Sequence, residues 1–480
     1  MQKKFITNLS LLLLLNILIK PFWILGIDRA VQNVVPAQDY GMYYAIFNFS
    51  FLFNIFLDVG ITNYNNKNIA QNNHLLQKHL SIILMLRLLL GTVYLLVTLA
   101  VGWLIHYSFT QIIMLAVLGF NQFLISFILY LRSNISGLHL FKTDSVISIL
   151  DRLIMIVICA ALLWGNITDK PFQISWYIFA QTFAYIITII ITLVIVIDKA
   201  NLKKVSWNKV FSLFILKKSY PYAILVLLMT FYNRIDSVML ERMLWDGAQQ
   251  AAIYASAYRL LDAGNMIAFL FAGLLLPMFA KMIKTHHRVD ELVKLSFSIL
   301  MLISITTAAV SFFYAHDMMK LMYHEHTQES ADVFQLLMMC FVFVSTTYVF
   351  GTLLTANGNL RQLNTMAACG MLLNITLNIV LIPKYKAAGA AFASLVTQAT
   401  TAIFQILIAY KFFNFKINYP FLLRFALFVV GTIALGILFN TLPIQWFVRM
   451  LMLATSIVAY ALIIGFVSIR GIIHIIKQDE

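Results

Sequence analysis

The chain is a succession of apolar runs, each near the length of a membrane span, separated by short polar stretches. About 20 consecutive apolar residues suffice to cross a bilayer as a helix. The runs are continuous and lack the in-out alternation of a strand, which predicts helices rather than a barrel. About fourteen spans are expected at that length. The first six cover roughly 6–33, 40–66, 80–105, 110–135, 144–165 and 174–198, and a polar, basic segment follows from Asp198 to Lys218. Six more cover roughly 219–242, 249–280, 292–314, 331–356, 362–382 and 388–411, and a final pair covers roughly 421–440 and 446–469. The organisation expected is therefore an N-terminal lobe over 1–213, a C-terminal lobe over 214–413 and two additional spans over 414–480.

Cation placement supports this division. With the N-terminus in the cytoplasm, alternate loops hold about 21 Lys and Arg when both termini are included, against about six outside. Lys67, Lys142, Lys203, Lys281, Arg288, Arg361 and Lys416 fall inside; Arg29, Lys170, Lys320 and Lys384 fall outside. A miscounted span would scramble that alternation, so an even count with both ends cytoplasmic is expected. Lys3 and Lys4 before an apolar run mimic a signal peptide. No A-x-A site follows and Lys20-Pro21 interrupts the run, so the reading is a retained first helix.

Composition then narrows the class. The chain is 61% hydrophobic and 11% charged, against roughly 25% charged for a soluble domain. Its formal charge of +15 sits in the short loops, the usual topology signal, rather than in a face for nucleic acid. Part of that excess suits anionic lipid headgroups or an anionic substrate. Cys159, Cys340 and Cys369 lie in separate apolar runs with no paired spacing, as small buried hydrophobes do. No phosphate-cradling loop and no HExxH or paired-cysteine metal motif occurs in the sequence. No cofactor is expected.

Charges inside the spans carry the functional signal, because each costs at least about 2.5–3.5 kcal/mol at the bilayer centre unless it meets a partner or a wet cavity. Arg234 and Asp236 are two residues apart on one helix and point to different sides, so each needs its own partner. Arg259 and Asp262 are i,i+3 and can pair; they read either as a structural ion pair or as a cavity arginine with its orienting carboxylate. Arg87 and Arg424, at span edges, read as snorkelling side chains. Asn374 and Asn378 are i,i+4 and share a helix face, with Ser394 and Thr397 on the next run. Their oxygens, joined by the Asp236 carboxylate, suit a hard monovalent cation; interhelical hydrogen bonding is the other reading. Two weak echoes suggest that the six-span halves repeat. Ile27-Asp28 matches Ile235-Asp236, and Tyr40–Ala45 matches Ala251–Ala257.

These stretches carry a family resemblance. NRIDSVML, then AIYASAYRLLDAGN, then LNITLNIVLIPKYKAAGAAFAS, with VVPAQDYGMYYAIFNFSFLFNIFLDVG near the start, resemble the polysaccharide-biosynthesis (O-antigen, Wzx-type) flippases of the multidrug/oligosaccharidyl-lipid/polysaccharide exporter superfamily. The resemblance covers essentially the whole chain and implies two six-helix lobes around a central cavity, working by alternating access. It implies an undecaprenyl-diphosphate-linked oligosaccharide as substrate, carried across a bacterial inner membrane for O-antigen, capsule or exopolysaccharide assembly. It implies membrane lipids and a polysaccharide polymerase complex as partners. Arg29, Arg152, Arg234 and Arg259 become the expected cationic cavity, and Asp236, with Asn374, Asn378 and Ser394, the expected coupling set. Relatives that flip the peptidoglycan precursor carry sodium at the matching helices. Asn378 stands here where a second carboxylate can occur, so sodium and proton coupling both stay open. A multidrug exporter of the same superfamily, or a membrane glycosyltransferase or polymerase, is the alternative. The first favours an acidic cavity, and the second wants a sizeable outer loop, which the 315–330 stretch is not.

Overall fold

The computed structural model describes residues 15–467, apart from 17, 20, 63, 64, 66–68, 70–75, 139, 166, 168, 201–207 and 417. Lys3, Lys4, Lys20, Lys67, Lys203 and the centre of the basic linker therefore lie outside the described residues. No strand occurs among those described. A π-helix over Trp23–Asp28 leads into α1 (Arg29–Val34), α2 (Ala37–Leu52) and α3 (Ile55–Asp58). Then come α4 (Leu76–Leu104), α5 (Phe109–Gly137), α6 (Phe141–Trp164), α7 (Ile174–Ala200), α8 (Lys209–Met243) and α9 (Gly247–Lys284). The chain continues with α10 (Asp290–Met322), α11 (Thr327–Ala356), α12 (Leu360–Phe413), α13 (Tyr419–Asn440) and α14 (Trp446–Ile463).

Eleven helices among the described residues are long and apolar enough to cross a membrane, so the protein is a multi-pass, all-helical membrane protein. One of them, α12, is long enough for two spans. Its 54 residues would make a straight rod of roughly 80 Å, more than twice the hydrocarbon core. The helix breaks at Lys386, where φ is 49° and ψ −131°, three residues after Pro383. A side chain at Gly389 would collide with the carbonyl of Leu381, which places the chain back against itself across the break. The runs expected at 362–382 and 388–411 are the two arms. The first two runs are more broken than their apolarity suggests: the first holds the π-helix and α1, and the second holds α2 and α3, separated at Phe53-Asn54.

Helix ends follow local chemistry. Ser108 caps α5 by a capping box with Gln111, each side chain taking the other's backbone N–H. Asn418 accepts from the Phe421 amide to start α13, with Pro420 in the first turn.

The chain divides into two compact units, residues 1–252 and 253–480. In the first, α5 packs on α7, α2 on α8, and α6 on α7. Leu80, Ile83, Leu86, Tyr130, Leu131 and Val196 form part of its core. In the second, α10 and α11 pack together, α11 packs on α12, and the terminal pair α13–α14 packs on α10. Met301, Tyr314, Phe428, Leu453 and Ile457 are buried there.

Candidate functional site

The first unit gathers polar groups around the π-helix. A π turn is a rare departure from α-helical hydrogen bonding, frequent at functional sites. Here it ends at Asp28, which is 1% exposed. The carboxylate accepts from the hydroxyl of Tyr177 at 2.5 Å, from that of Tyr40 at 3.0 and 3.1 Å, and from Nε2 of Gln32 at 3.3 Å. Tyr177 stacks on Trp23, with centroids 5.7 Å apart, and meets Tyr43 edge-on. Gln181 donates to the Tyr43 hydroxyl at 3.0 Å. Hydrogen bonds to a charged group are worth about 1.5–3 kcal/mol each, the scale needed against the several kcal/mol that burying a carboxylate costs. Sequence reasoning noted Ile27-Asp28 only as a repeat echo. The signal was available, since a carboxylate inside the first apolar run meets the same criterion that singled out Asp236.

Arg152, on α6, reaches the same cluster. Its guanidinium lies 5.6 Å from the Trp23 ring, with Nη1 3.5 Å from the Tyr185 hydroxyl and Nε 3.6 Å from the Asp151 carboxylate. Trp23 thus touches the arginine on one side and, through Tyr177, the Asp28 network on the other. Arg29 follows Asp28 directly and is half-buried, its Nε enclosed and in no hydrogen bond.

Arg234 and Asp236 lie where α8 packs on α2. The Arg234 guanidinium sits 5.4 Å from the Phe51 ring, a cation–π contact worth about 0.5–2 kcal/mol depending on desolvation. Asp236 is 1% exposed. Its neighbour Ser237 accepts from Nδ2 of Asn48 at 2.9 Å, in a buried hydrogen bond that ties α8 to α2.

Arg259 and Asp262, on α9, belong to the second unit and are both half-buried. Asn374 and Asn378 are fully enclosed, and Nδ2 of Asn378 donates to Oδ1 of Asn374 at 3.1 Å. The shared face expected from their spacing is therefore present. Ser394 and Thr397 are buried on the second arm of α12, and Thr397 donates to the Ala393 carbonyl at 2.8 Å.

Arg87 departs from expectation. It does not snorkel: it is 1% exposed and pairs with Asp58. It also donates to the Leu57 carbonyl at 2.9 Å and to Oγ of Ser126 at 2.7 Å. Arg424 does lie exposed at its span edge, donating to the Gly465 carbonyl at 3.2 Å. A further cluster closes one end of the first unit, where Gln111 donates to Glu241 at 2.7 Å and Arg242 lies 5.0 Å from the Tyr107 ring. Burial pushes the Tyr107 phenol above its ordinary pKa, and the Glu241 carboxylate adds to the shift.

Comparison with known proteins places this geometry. The profile of a family described as polysaccharide biosynthesis protein matches residues 6–283. A second profile, MatE, matches residues 221–380. No curated protein matches significantly. Among solved structures, the chain is similar to the lipid II flippase MurJ in an inward closed conformation, with TM-score 0.72 and 14% identity over 94% of this chain and 98% of that one. It is also similar to an inward-facing multidrug resistance MATE family transporter of the MOP superfamily, with TM-score 0.66 and 14% identity over 85% and 98%. A third is a MOP superfamily transporter from Pyrococcus furiosus described as having a binding pocket of reversed polarity, with TM-score 0.61 and 14% identity over 85% and 95%. At these identities the likeness establishes the fold.

Proposed function

The chain belongs to the polysaccharide biosynthesis protein family, and on that premise we propose that it is a flippase. It moves undecaprenyl-diphosphate-linked oligosaccharide from the cytoplasmic to the outer leaflet of a bacterial inner membrane, by ion-coupled alternating access, for O-antigen, capsule or exopolysaccharide assembly. The observation that carries this reading is the placement of intramembrane guanidiniums beside aromatic rings: Arg152 against Trp23, and Arg234 against Phe51. A guanidinium matches a phosphate through two parallel hydrogen bonds. Arg29 is a further proposed cationic residue of the first unit, and Arg259, oriented by Asp262, is the proposed cationic residue of the second. A polymerase consuming the delivered repeat units is the proposed partner. Asp236 is the proposed coupling carboxylate of the first unit, and Asn374, Asn378 and Ser394 are the proposed coupling set of the second. Asp28 joins Asp236 as a second proposed coupling carboxylate, buried in the first unit and accepting from the hydroxyls of Tyr177 and Tyr40 and the amide of Gln32.

Deleting the gene in its native host tests the reading. Lipid-linked repeat units are expected to accumulate on the cytoplasmic side while surface glycan is lost. Complementation with the Arg234→Gln/Arg259→Gln double variant should restore less than a tenth of the wild-type surface glycan at equal protein level. Unchanged glycan with raised sensitivity to cationic dyes would instead assign the chain to drug export.

A further inference from the structure

The second unit carries a cavity of about 780 Å³ where α10 and α13 begin and α11 and α12 end. None of the residues discussed above as the transport site lines it. All four elements meet there by their terminal turns, so the cavity opens at one membrane surface. The cation count assigns that surface to the cytoplasm, since Arg288 and Lys416 both lie in inside loops.

Its lining is graded along the helices. Phe297, Phe350 and Ile406 lie about two turns inside their helix ends and form an apolar wall, with Phe297 in ring contact with Phe350 at 5.9 Å and with Phe421 at 6.2 Å. The charged groups lie at the ends themselves. Arg288 is engaged by Asp290, with Nη2 at 2.6 Å and Nε at 3.0 Å from one carboxylate oxygen. Lys294 rests its ammonium 5.3 Å from the Phe421 ring. Lys294 and Lys416 are exposed, and neither is in an ion pair with a carboxylate among the described residues. The exposed Glu291 also lines the cavity, one helical turn before Lys294 on α10. Tyr410 and Tyr419 stand at the mouth, the usual place for an aromatic anchor at headgroup level.

We propose that this cavity holds an anionic glycerophospholipid of the cytoplasmic leaflet. The phosphate sits between Lys294 and Lys416, and the first methylenes of its chains lie on the Phe297–Phe421 wall. The volume falls within the range of pockets that enclose small ligands, about 300–1,000 Å³. A soluble phosphate would leave the phenyl wall unused, and a neutral lipid would leave the two ammoniums unused. Basic pockets between spans on this side of a membrane recognise acidic headgroups by this combination. The site does not depend on what the protein transports.

Native mass spectrometry of the full-length protein, titrated with phosphatidylglycerol or phosphatidylcholine in mixed micelles, tests this. The wild type should retain one phosphatidylglycerol with about tenfold preference over phosphatidylcholine. The Lys294→Gln/Lys416→Gln variant should lose that preference. A Lys281→Gln/Lys284→Gln variant, altered on the neighbouring surface outside the cavity, should keep it. Equal retention by wild type and the cavity variant would overturn the proposal, as would equal loss in both variants. Displacement of the lipid by millimolar glycerol phosphate would overturn it in favour of a soluble phosphate. Displacement by undecaprenyl diphosphate at equal concentration would overturn it in favour of a substrate site. Both lysines are exposed, so misfolding of the cavity variant is not expected; an unshifted thermal midpoint checks that.

Discussion

At the scale of single residues, the same charge in an apolar run has two fates, and neighbours decide between them. Arg87 is enclosed by carbonyl, hydroxyl and carboxylate acceptors, with its guanidinium 5.1 Å from the Tyr130 ring. It pins α4 to α3 and α5. Removing one partner of a buried pair costs about 3–5 kcal/mol because the other charge is left uncompensated, and the stranded charge is fully enclosed when Asp58 is removed but partly solvated when Arg87 is. Asp58 is 30% exposed, so solvent screening puts its loss at or below the lower end of that range. Asp58→Ala is therefore expected to lower the thermal midpoint in detergent more than Arg87→Met does. The reverse order would mean that Arg87 is held by packing rather than by charge. The sequence supplied the position of Arg87 in the run but not its destination. Snorkelling and burial differ in which helices stand opposite, and one strand of text holds no pairing information. Asp28 was legible on the criterion used for Asp236, whereas the donors that reach it from α1, α2 and α7 were not.

At the scale of elements, span positions from residue 76 onward follow the hydrophobic runs closely, because a helix in lipid has to satisfy its own backbone over the full apolar thickness. The early elements escape that reading. Pro21 and the turn at Phe53-Asn54 break runs whose average apolarity stays high, and a π-helix has no sequence period of its own. Close helix contact is also invisible to hydropathy. A side chain at Gly41 on α2 would overlap the carbonyl of Ala248 and crowd the amide nitrogen of Ala252 at the start of α9. Those are backbone atoms and do not swing away, and small residues at such crossings are what allow helices in a membrane to touch. Gly41→Leu is expected to cost at least the roughly 1–3 kcal/mol of an overpacked core. Gly41→Ala should already reduce the yield of monodisperse protein and Gly41→Leu should nearly abolish it, as size-exclusion chromatography of a fluorescent fusion would read. A wild-type profile for Gly41→Leu would show that this contact opens freely.

At the scale of the whole molecule, the alternation of cations and the kink in α12 make one joint statement about topology. Between Lys170, in the loop before α7, and Lys416, in the loop after α12, lie α7 to α11 and then α12. If α12 is one crossing, the two lysines share a side of the membrane. If the break at Lys386 makes it two, they lie on opposite sides. The left-handed Lys386 and the approach of Gly389 to Leu381 favour two, and so does the bias of Lys and Arg toward one set of loops. Cysteine scanning separates the cases after Cys159, Cys340 and Cys369 are replaced; the first two are buried and the third is exposed. In spheroplasts, Lys170→Cys should react with a membrane-impermeant maleimide, and Lys416→Cys should react only after permeabilisation. Labelling of both from outside would make α12 a single crossing. It would also move the Lys294–Lys416 cavity to the outer leaflet, where a cytoplasmic-leaflet lipid has no access. Labelling of Lys416→Cys alone would invert the molecule and with it the proposed direction of transport. The orientation of the chain, the lipid site and the direction of flipping thus rest on one geometric fact, the turn at Lys386, and this labelling pattern tests all three together.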